Sequence, residues 1–219
     1  MARMLFAAAL LAAFACARSD PFDDSSIARD LKRRPAQQLY DEADRLAFHP
    51  APHARLSERQ IADFLRMMQL ARRIRAVAEK DFGRAADQAA NDDSRLTRIG
   101  DAFAALGTAR SYATAELRAS LDLGFNPHEQ QWIASRIFAA AALMPRAYEL
   151  DRFVAQAKAN RDIEADPDVV GRKQAELDDT VAAKHRWEDA QDADVRADLR
   201  IVERHRTELR EVLPELPAD

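Results

Sequence analysis

A single cysteine and five glycines stand among the 219 residues, and each scarcity closes off a class of chemistry. One cysteine forms no disulfide within the chain and supplies no thiolate cluster for a metal. Five glycines leave little room for a loop that cradles phosphates, and no such pattern is present. No serine sits in a nucleophile elbow. Leu46, Pro50, Phe125, Ala182 and Val202 stand three places before the five histidines, so the Glu-x-x-His pairs of a di-metal bundle are missing. The zincin pattern is missing too. β-branched residues are thin, and no alternating apolar–polar run is long enough for a strand. The net charge of −4 argues against a nucleic-acid partner.

What is present favours helices. Alanine, leucine, arginine, glutamate and aspartate dominate, and alanine and the straight-chain side chains lose little rotamer freedom in a helix. From Arg161 to Asp219 the chain carries ten Lys/Arg against seventeen Asp/Glu, a net of −7, which leaves +3 on the rest. A basic front and an acidic back either attract each other, within one fold or across a dimer, or form two solvated faces.

The N-terminus is built differently. Arg3 gives a positive start, and Met4 to Ala15 is uncharged and apolar. That run is shorter than the roughly 20 residues a bilayer span needs. A positive start, a short apolar run and small residues at its end make a secretory signal. Small residues in Ala13-Phe14-Ala15 and in Ala15-Cys16-Ala17 offer two sites for ordinary signal peptidase. The third option involves Cys16 itself. The stretch "AFAC" resembles the lipobox of bacterial lipoproteins, with Ala13 where the family usually has leucine. The resemblance implies acylation at Cys16, and Ala17 after it implies the outer membrane of a Gram-negative cell. Lipidation explains why the one cysteine sits here, since a free thiol in an oxidising compartment is a liability. The expected organisation is a signal peptide over 1–15, a lipid-anchored tether over 16–35 with a short helix near its end, and one helical domain over 36–219. The acidic part of that domain starts near residue 160.

Helical periodicity and caps place the elements of the domain. Leu39, Tyr40, Ala43, Leu46 and Ala47 share one face of a helix that Pro50 and Pro52 stop. Ser57 and Gln60 form a capping box. Ile61, Phe64, Leu65, Met68, Ala71, Ile74 and Val77 then recur at three or four, widened by Met67 and Leu70, until Gly83 and "AANDDS" break the pattern. A third helix is expected from Ser94, with Leu96, Ile99, Phe103, Leu106, Ala113 and Leu117 as its stripe and Gly100 and Gly107 beside it. Gly124 suits a left-handed C-terminal cap, Asn126 an N-cap, Pro127 the first helical position and Glu129 the capping-box acid. Ile133, Ile137, Ala140, Ala141 and Met144 follow as a buried stripe. Pro145 is expected to kink or restart the helix, with Tyr148, Val154 and Ala155 continuing it. A weaker helix is expected over Val169 to Trp187. A last one uses Val195, Leu199, Val202, Leu209 and Leu213 and ends at Pro214. The expected fold is all-α, an irregular antiparallel bundle of about four to six helices. The succession "LSERQIADFLRMM", "LGFNPHEQQWIASRI", "IVERHRTELREV" resembles a group of uncharacterised exported helical proteins of bacteria. That resemblance carries no catalytic residues across.

These readings favour a non-enzymatic cell-envelope lipoprotein, a helical interaction or structural module. It needs no cofactor or metal, reaches the membrane through a lipid anchor at Cys16, and meets an envelope protein partner. Its location is the periplasmic face of the outer membrane if lipidated and the periplasm otherwise. Arg66, Arg72, Arg73 and Arg75 give the second helix a basic flank, which with Trp132 makes a candidate contact surface. The alternative is a soluble periplasmic protein binding a small lipid or hydrophobic ligand in a cavity lined by Met67, Met68, Trp132 and Met144. His49 and His53 lie in a proline-rich turn, a poor frame for a metal pair. His185 with Asp189, and His205, read as surface or boundary residues.

Overall fold

The computed structural model describes residues 20–90 and 113–217. Every regular element among them is a helix: α1 (Asp24–Arg33), α2 (Ala36–Ala43), α3 (Glu58–Ala90), α4 (Ala115–Asp122), α5 (Pro127–Ala141), α6 (Met144–Asp162), α7 (Pro167–Ala190), α8 (Ala193–Arg204) and α9 (Arg206–Val212). The all-α class holds. The nine helices among the described residues exceed the four to six expected for the domain, because the chain breaks before Pro145 and at His205 and the short helix expected near the end of the tether, α1, packs onto the domain. The expected signal sequence, Cys16, and the first part of the expected third helix, from Ser94 through Leu96, Ile99, Gly100, Phe103, Leu106 and Gly107, lie outside the described residues.

α1 corrects the extent of the tether. Asp23 caps it by accepting from the Ser26 N–H at 2.9 Å. Its Ile27 is buried, and Phe22 and Leu31 pack on the core. From Phe22 onward the chain therefore belongs to the packed domain. In α2, Leu39 and Ala43 face inward and Tyr40 is exposed; the helix ends at Ala43, so Leu46 and Ala47, expected on its face, are exposed in the chain after it.

α3 is the axis of the core. Its capping box closes as expected: the Ser57 N–H donates to Gln60 Oε1 at 3.1 Å, and the Gln60 N–H to Ser57 Oγ at 3.3 Å. Ile61, Phe64, Met67, Met68, Leu70, Ala71, Ile74 and Val77 are all buried. Burying each large apolar side chain contributes roughly 1.5–3 kcal/mol. The expected break at Gly83 does not occur. α3 continues to Ala90, because one helical glycine costs only about 1 kcal/mol. α1, α4, α5 and α9 pack against α3, and α8 packs against α5. Gly124, with φ of 73°, ends the α4 turn in the left-handed region, and the Phe125 N–H donates back to Ser120 O at 2.8 Å. Asn126 then caps α5 by accepting from the His128 N–H at 3.0 Å. Glu129 does not close a capping box; it accepts from Gln60 Nε2 of α3 at 3.0 Å. The α5 stripe of Ile133, Ile137, Ala140 and Ala141 is buried as expected, and Met144 continues it.

Two buried charges lock distant segments onto this core. Asp198 of α8 is 0 % exposed. It accepts from the Leu56 N–H at 2.7 Å and pairs with the Arg136 guanidinium of α5. One helical turn earlier, Asp194 accepts from Arg55 Nε at 2.8 Å and meets His53 Nδ1 at 3.0 Å. The hydrogen bonds from Arg55 and His53 hold the Asp194 carboxyl below its ordinary range. Together these residues give the 44–57 loop the partners its backbone and side chains need. They also show the acidic back of the chain meeting its basic front within one fold. Arg118 of α4, 1 % exposed, pairs with Asp30 of α1 and donates to Arg34 O at 2.8 Å. Arg34 in turn pairs with Asp122.

α6 and α7 form an antiparallel hairpin. Arg161 Nη1 donates to Gln174 at 3.0 Å near the turn, and Lys184 meets Asp151 toward the base. Ala147, Leu150 and Ala157 are its inward side chains on α6, replacing the expected Val154 and Ala155, of which Ala155 is exposed. α7 runs for 24 residues with only Leu177 buried. Asp166 caps its start, and pairs such as Lys173–Glu176 at 3.1 Å and Gln174–Asp178 at 2.7 Å support its polar faces. It is therefore longer than the Val169–Trp187 helix expected. The hairpin joins the main core through Met144 and Tyr148, and Arg206 stacks over the Tyr148 ring at 4.9 Å. Its far end stands clear, with Ile163 at the turn 83 % exposed.

Glu203 sits at the hairpin base. Burial, reinforced by the Asp151 charge, pushes its carboxyl up against the opposing pull of Arg206 and Lys184. A carboxyl with a raised folded-state pKa binds its proton more tightly folded than unfolded. Its ionised form is thus a cost that sets in as pH rises through the ordinary glutamate range and is complete above the folded value. Glu203→Gln is expected to raise the Tm at pH 7. The gain should vanish at pH 3, where both states of the native protein carry a neutral Glu203. Thermal melts at the two pH values check this, and an unchanged or lower Tm at pH 7 contradicts it.

Candidate functional site

Two adjoining clefts open around the first turns of α5. The inner cleft, about 370 Å³, lies between α2, α3, α4 and α5. Its apolar wall comes from Phe64 and Met67 of α3, Leu117 of α4 and Ala134 of α5. The outer cleft, about 520 Å³, runs along the chain after α2, where Phe48 and Pro50 face Trp132 and Ser135. Asp44, His128 and Gln131 line both, so they form the partition between the two.

Local folding explains why these side chains meet. The capped start of α5 is fixed by Asn126 and Pro127. Asn126 Nδ2 donates to Ala47 O at 3.0 Å, and His128 Nε2 lies 3.2 Å from Ala43 O. These contacts hold the chain that leaves α2 against α5. Phe48 is then brought to Trp132, with ring centroids 5.9 Å apart at a tilted 53°. Inside, Gln130 occupies the position one turn before the Ile133 and Ala134 pair on the buried face of α5. It is 4 % exposed, and its Oε1 is buried with no hydrogen-bond partner. Ser120 Oγ, on the same wall, already donates to Glu116 O at 2.9 Å. Glu116 accepts from Arg75 Nη2 at 2.5 Å.

The structure distributes the residues singled out from sequence in several ways. Cys16 lies outside the described residues. The four arginines of α3 do not form one patch. At about 100° per residue Arg66 and Arg73 share one flank, Arg72 lies about a third of a turn away and Arg75 about half a turn away. Arg73 is paired with Asp24 at 2.8 Å and Arg75 with Glu116, whereas Arg66 and Arg72 are exposed with no ionic partner among the described residues. Trp132 is partly buried and lines the outer cleft. The cavity expected from Met67, Met68, Trp132 and Met144 is not formed by that set. Met67 lines the inner cleft, while Met68 and Met144 point into the core, where unbranched methionine fills gaps between helices. His53 is an exposed turn residue bound to Asp194, His185 pairs with Glu188 at 3.4 Å, and His205 bonds Glu58.

Sequence reasoning missed Gln130 and Phe48. Gln130 carries a readable signal, a polar residue one turn before Ile133 on the apolar stripe of α5. Phe48 had none, because its position depends on the turn after α2. The carboxyls that burial raises, Asp122 and Glu203, both sit among ion pairs, and neither lines the clefts described. Among the described residues no three His, Cys, Asp or Glu side chains gather to hold a metal ion. No helix among them is long and apolar enough to cross a membrane. Comparison with known protein families, curated proteins and solved structures finds no match to this chain.

Proposed function

We propose that this protein is a cell-envelope interaction module, anchored through a lipidated Cys16 and presenting its α6–α7 hairpin to an envelope protein partner. The observation that carries this reading is the hairpin itself. It stands clear of the main core over most of its length and ends in the exposed Ile163. Apart from Met144 and Tyr148 at its base, this two-helix projection adds little to the central core, and it leaves most of its surface to solvent. One side carries a groove of about 840 Å³ lined by Phe153, Gln156, Asn160, Arg172, Glu176 and Thr180. Phe153 is an exposed aromatic, with the Arg152 guanidinium 5.8 Å from its ring. Exposed aromatics beside arginine are side chains typical of contact surfaces. The anchor rests on the sequence around Cys16.

The test has two readings on one preparation. Intact mass of the mature protein from a Gram-negative host is expected to show a chain beginning at acylated Cys16, and Cys16→Ser is expected to abolish the acylation. A photo-crosslinker at position 163 is expected to capture one discrete envelope protein in intact cells, while the same probe at Gln69 on α3 captures none. An unmodified mature N-terminus overturns the anchor. No discrete product from position 163 overturns the hairpin as the contact surface.

A further inference from the structure

We propose that the α6–α7 hairpin pairs face to face with the hairpin of a second copy of this chain, the two related by a two-fold axis that runs them antiparallel. This names the partner of the contact surface and rests on the reading of the hairpin as that surface.

The charges of the hairpin groove carry the inference. Arg146, Arg172, Glu176 and Asp179 line it. Two of them are satisfied within one turn, Arg146 by Glu149 and Glu176 by Lys173. The other two, Arg172 and Asp179, are exposed and have no ionic partner among the described residues. They are opposite in sign and stand two helical turns apart on one flank of α7, about 10 Å along its axis. That is beyond the i, i+3 and i, i+4 pairs a helix forms with itself. A two-fold axis midway between them sets each Arg172 against the Asp179 of the other copy. Two contacts then form at once from one pair of residues, the self-complementarity an isologous interface requires.

The apolar side chains give the same axis independently. Phe153, Gln156 and Asn160 line the groove, and Ile163 follows at the next step of three. Phe153 and Ile163 are 41 % and 83 % exposed. Their midpoint on α6 is Lys158. The midpoint of Arg172 and Asp179 on α7 lies between Ala175 and Glu176. Arg161 bonds Gln174 and Lys184 meets Asp151 across the hairpin, which fixes the level of one helix against the other. At that alignment the two midpoints differ by about 2 Å along the hairpin, within the reach of a side chain. One axis therefore sets Phe153 against the Ile163 of the other copy and Arg172 against its Asp179. Ala175, exposed beside the axis, is small enough to let the two α7 helices approach.

The overlap runs about 15 Å along the hairpin and is two helices wide. That is at the small end of specific interfaces, so association in free solution is expected to be weak. Copies confined to one membrane would gain from their raised effective concentration.

The test uses the purified chain from Cys16 onward with Cys16→Ser. Sedimentation equilibrium at high micromolar concentration is expected to show monomer and dimer. Arg172→Asp and Asp179→Arg are each expected to weaken dimerisation about tenfold, because each sets like charges opposite one another twice. The combined Arg172→Asp, Asp179→Arg chain is expected to recover the parent affinity. Phe153→Cys together with Ile163→Cys is expected to give a disulfide-linked dimer on oxidation in far higher yield than either cysteine alone. Within one chain these positions are about 15 Å apart and cannot be bridged. A chain that stays monomeric at millimolar concentration overturns the proposal. So does a combined charge variant that dimerises no better than the single ones, or a cysteine pair that links no better than one cysteine. If the purified chain is monomeric while the crosslinker at position 163 captures a different protein, this inference fails and the hairpin reading stands. If that crosslinker also captures nothing, both fail.

Discussion

Asp198→Ala is expected to destabilise the protein by about 3–5 kcal/mol, the range for breaking a buried ion pair by removing one partner. Asp198 is fully buried, and two groups depend on it. The Arg136 guanidinium would lose its counter-charge, and the Leu56 N–H would lose its acceptor in a place water does not reach. Asp63→Ala is the contrasting case. Its partner Arg59 is exposed at 3.7 Å, and its loss is expected to fall within about 1 kcal/mol. Urea denaturation of both variants reads the difference. A double-mutant cycle with Arg136→Ala separates the pair from the Leu56 bond, since the Asp198 loss should shrink once Arg136 is gone. A loss below about 1 kcal/mol for Asp198→Ala would show that α8 is not held this way.

Phe64→Ala is expected to cost about 3–5 kcal/mol, through lost burial and the space left behind. Phe64 is buried near the middle of the α3 stripe and belongs to the main core. It also lines the inner cleft, so water can enter part of the vacated space, which places the loss toward the lower end. Ile74→Val, one methylene removed at a fully buried position on the same helix, is expected to cost about 0.5–1.5 kcal/mol. Equal losses for the two would mean that α3 is not the axis of the core. The chevron arms of the same variants place α3 in the folding transition state or outside it.

The stripes and caps were legible because they are local. Ile61 to Val77, Ile133 to Ala141, the Ser57–Gln60 box, the Gly124 and Asn126 caps and the restart at Pro145 are set by residues within about two turns of one another. Helix extent was less legible. Gly83 reads as a break, but packing of the preceding turns outweighs the cost of one glycine and carries α3 to Ala90. α7 reads as weak because a long polar helix has no apolar stripe to announce it, and its cap and side-chain pairs hold it instead.

The candidate site divides along the same line. Trp132 and Met67 carried a signal, being large side chains on or beside a stripe. The partition by Asp44 and His128, the contact with Phe48 and the empty acceptor at Gln130 arise only when α2, α3, α4 and α5 come together. The same holds for Asp194, Asp198 and Arg118, which look in the sequence like solvated charges on helix faces. Sequence by itself determined the helical class, the main apolar stripes and several helix caps, since each depends on short-range spacing and composition. Tertiary structure alone decided which charges are buried, where the clefts lie and that α6 and α7 stand out as a hairpin. Those features join residues up to 142 positions apart, and no local pattern encodes such a pairing.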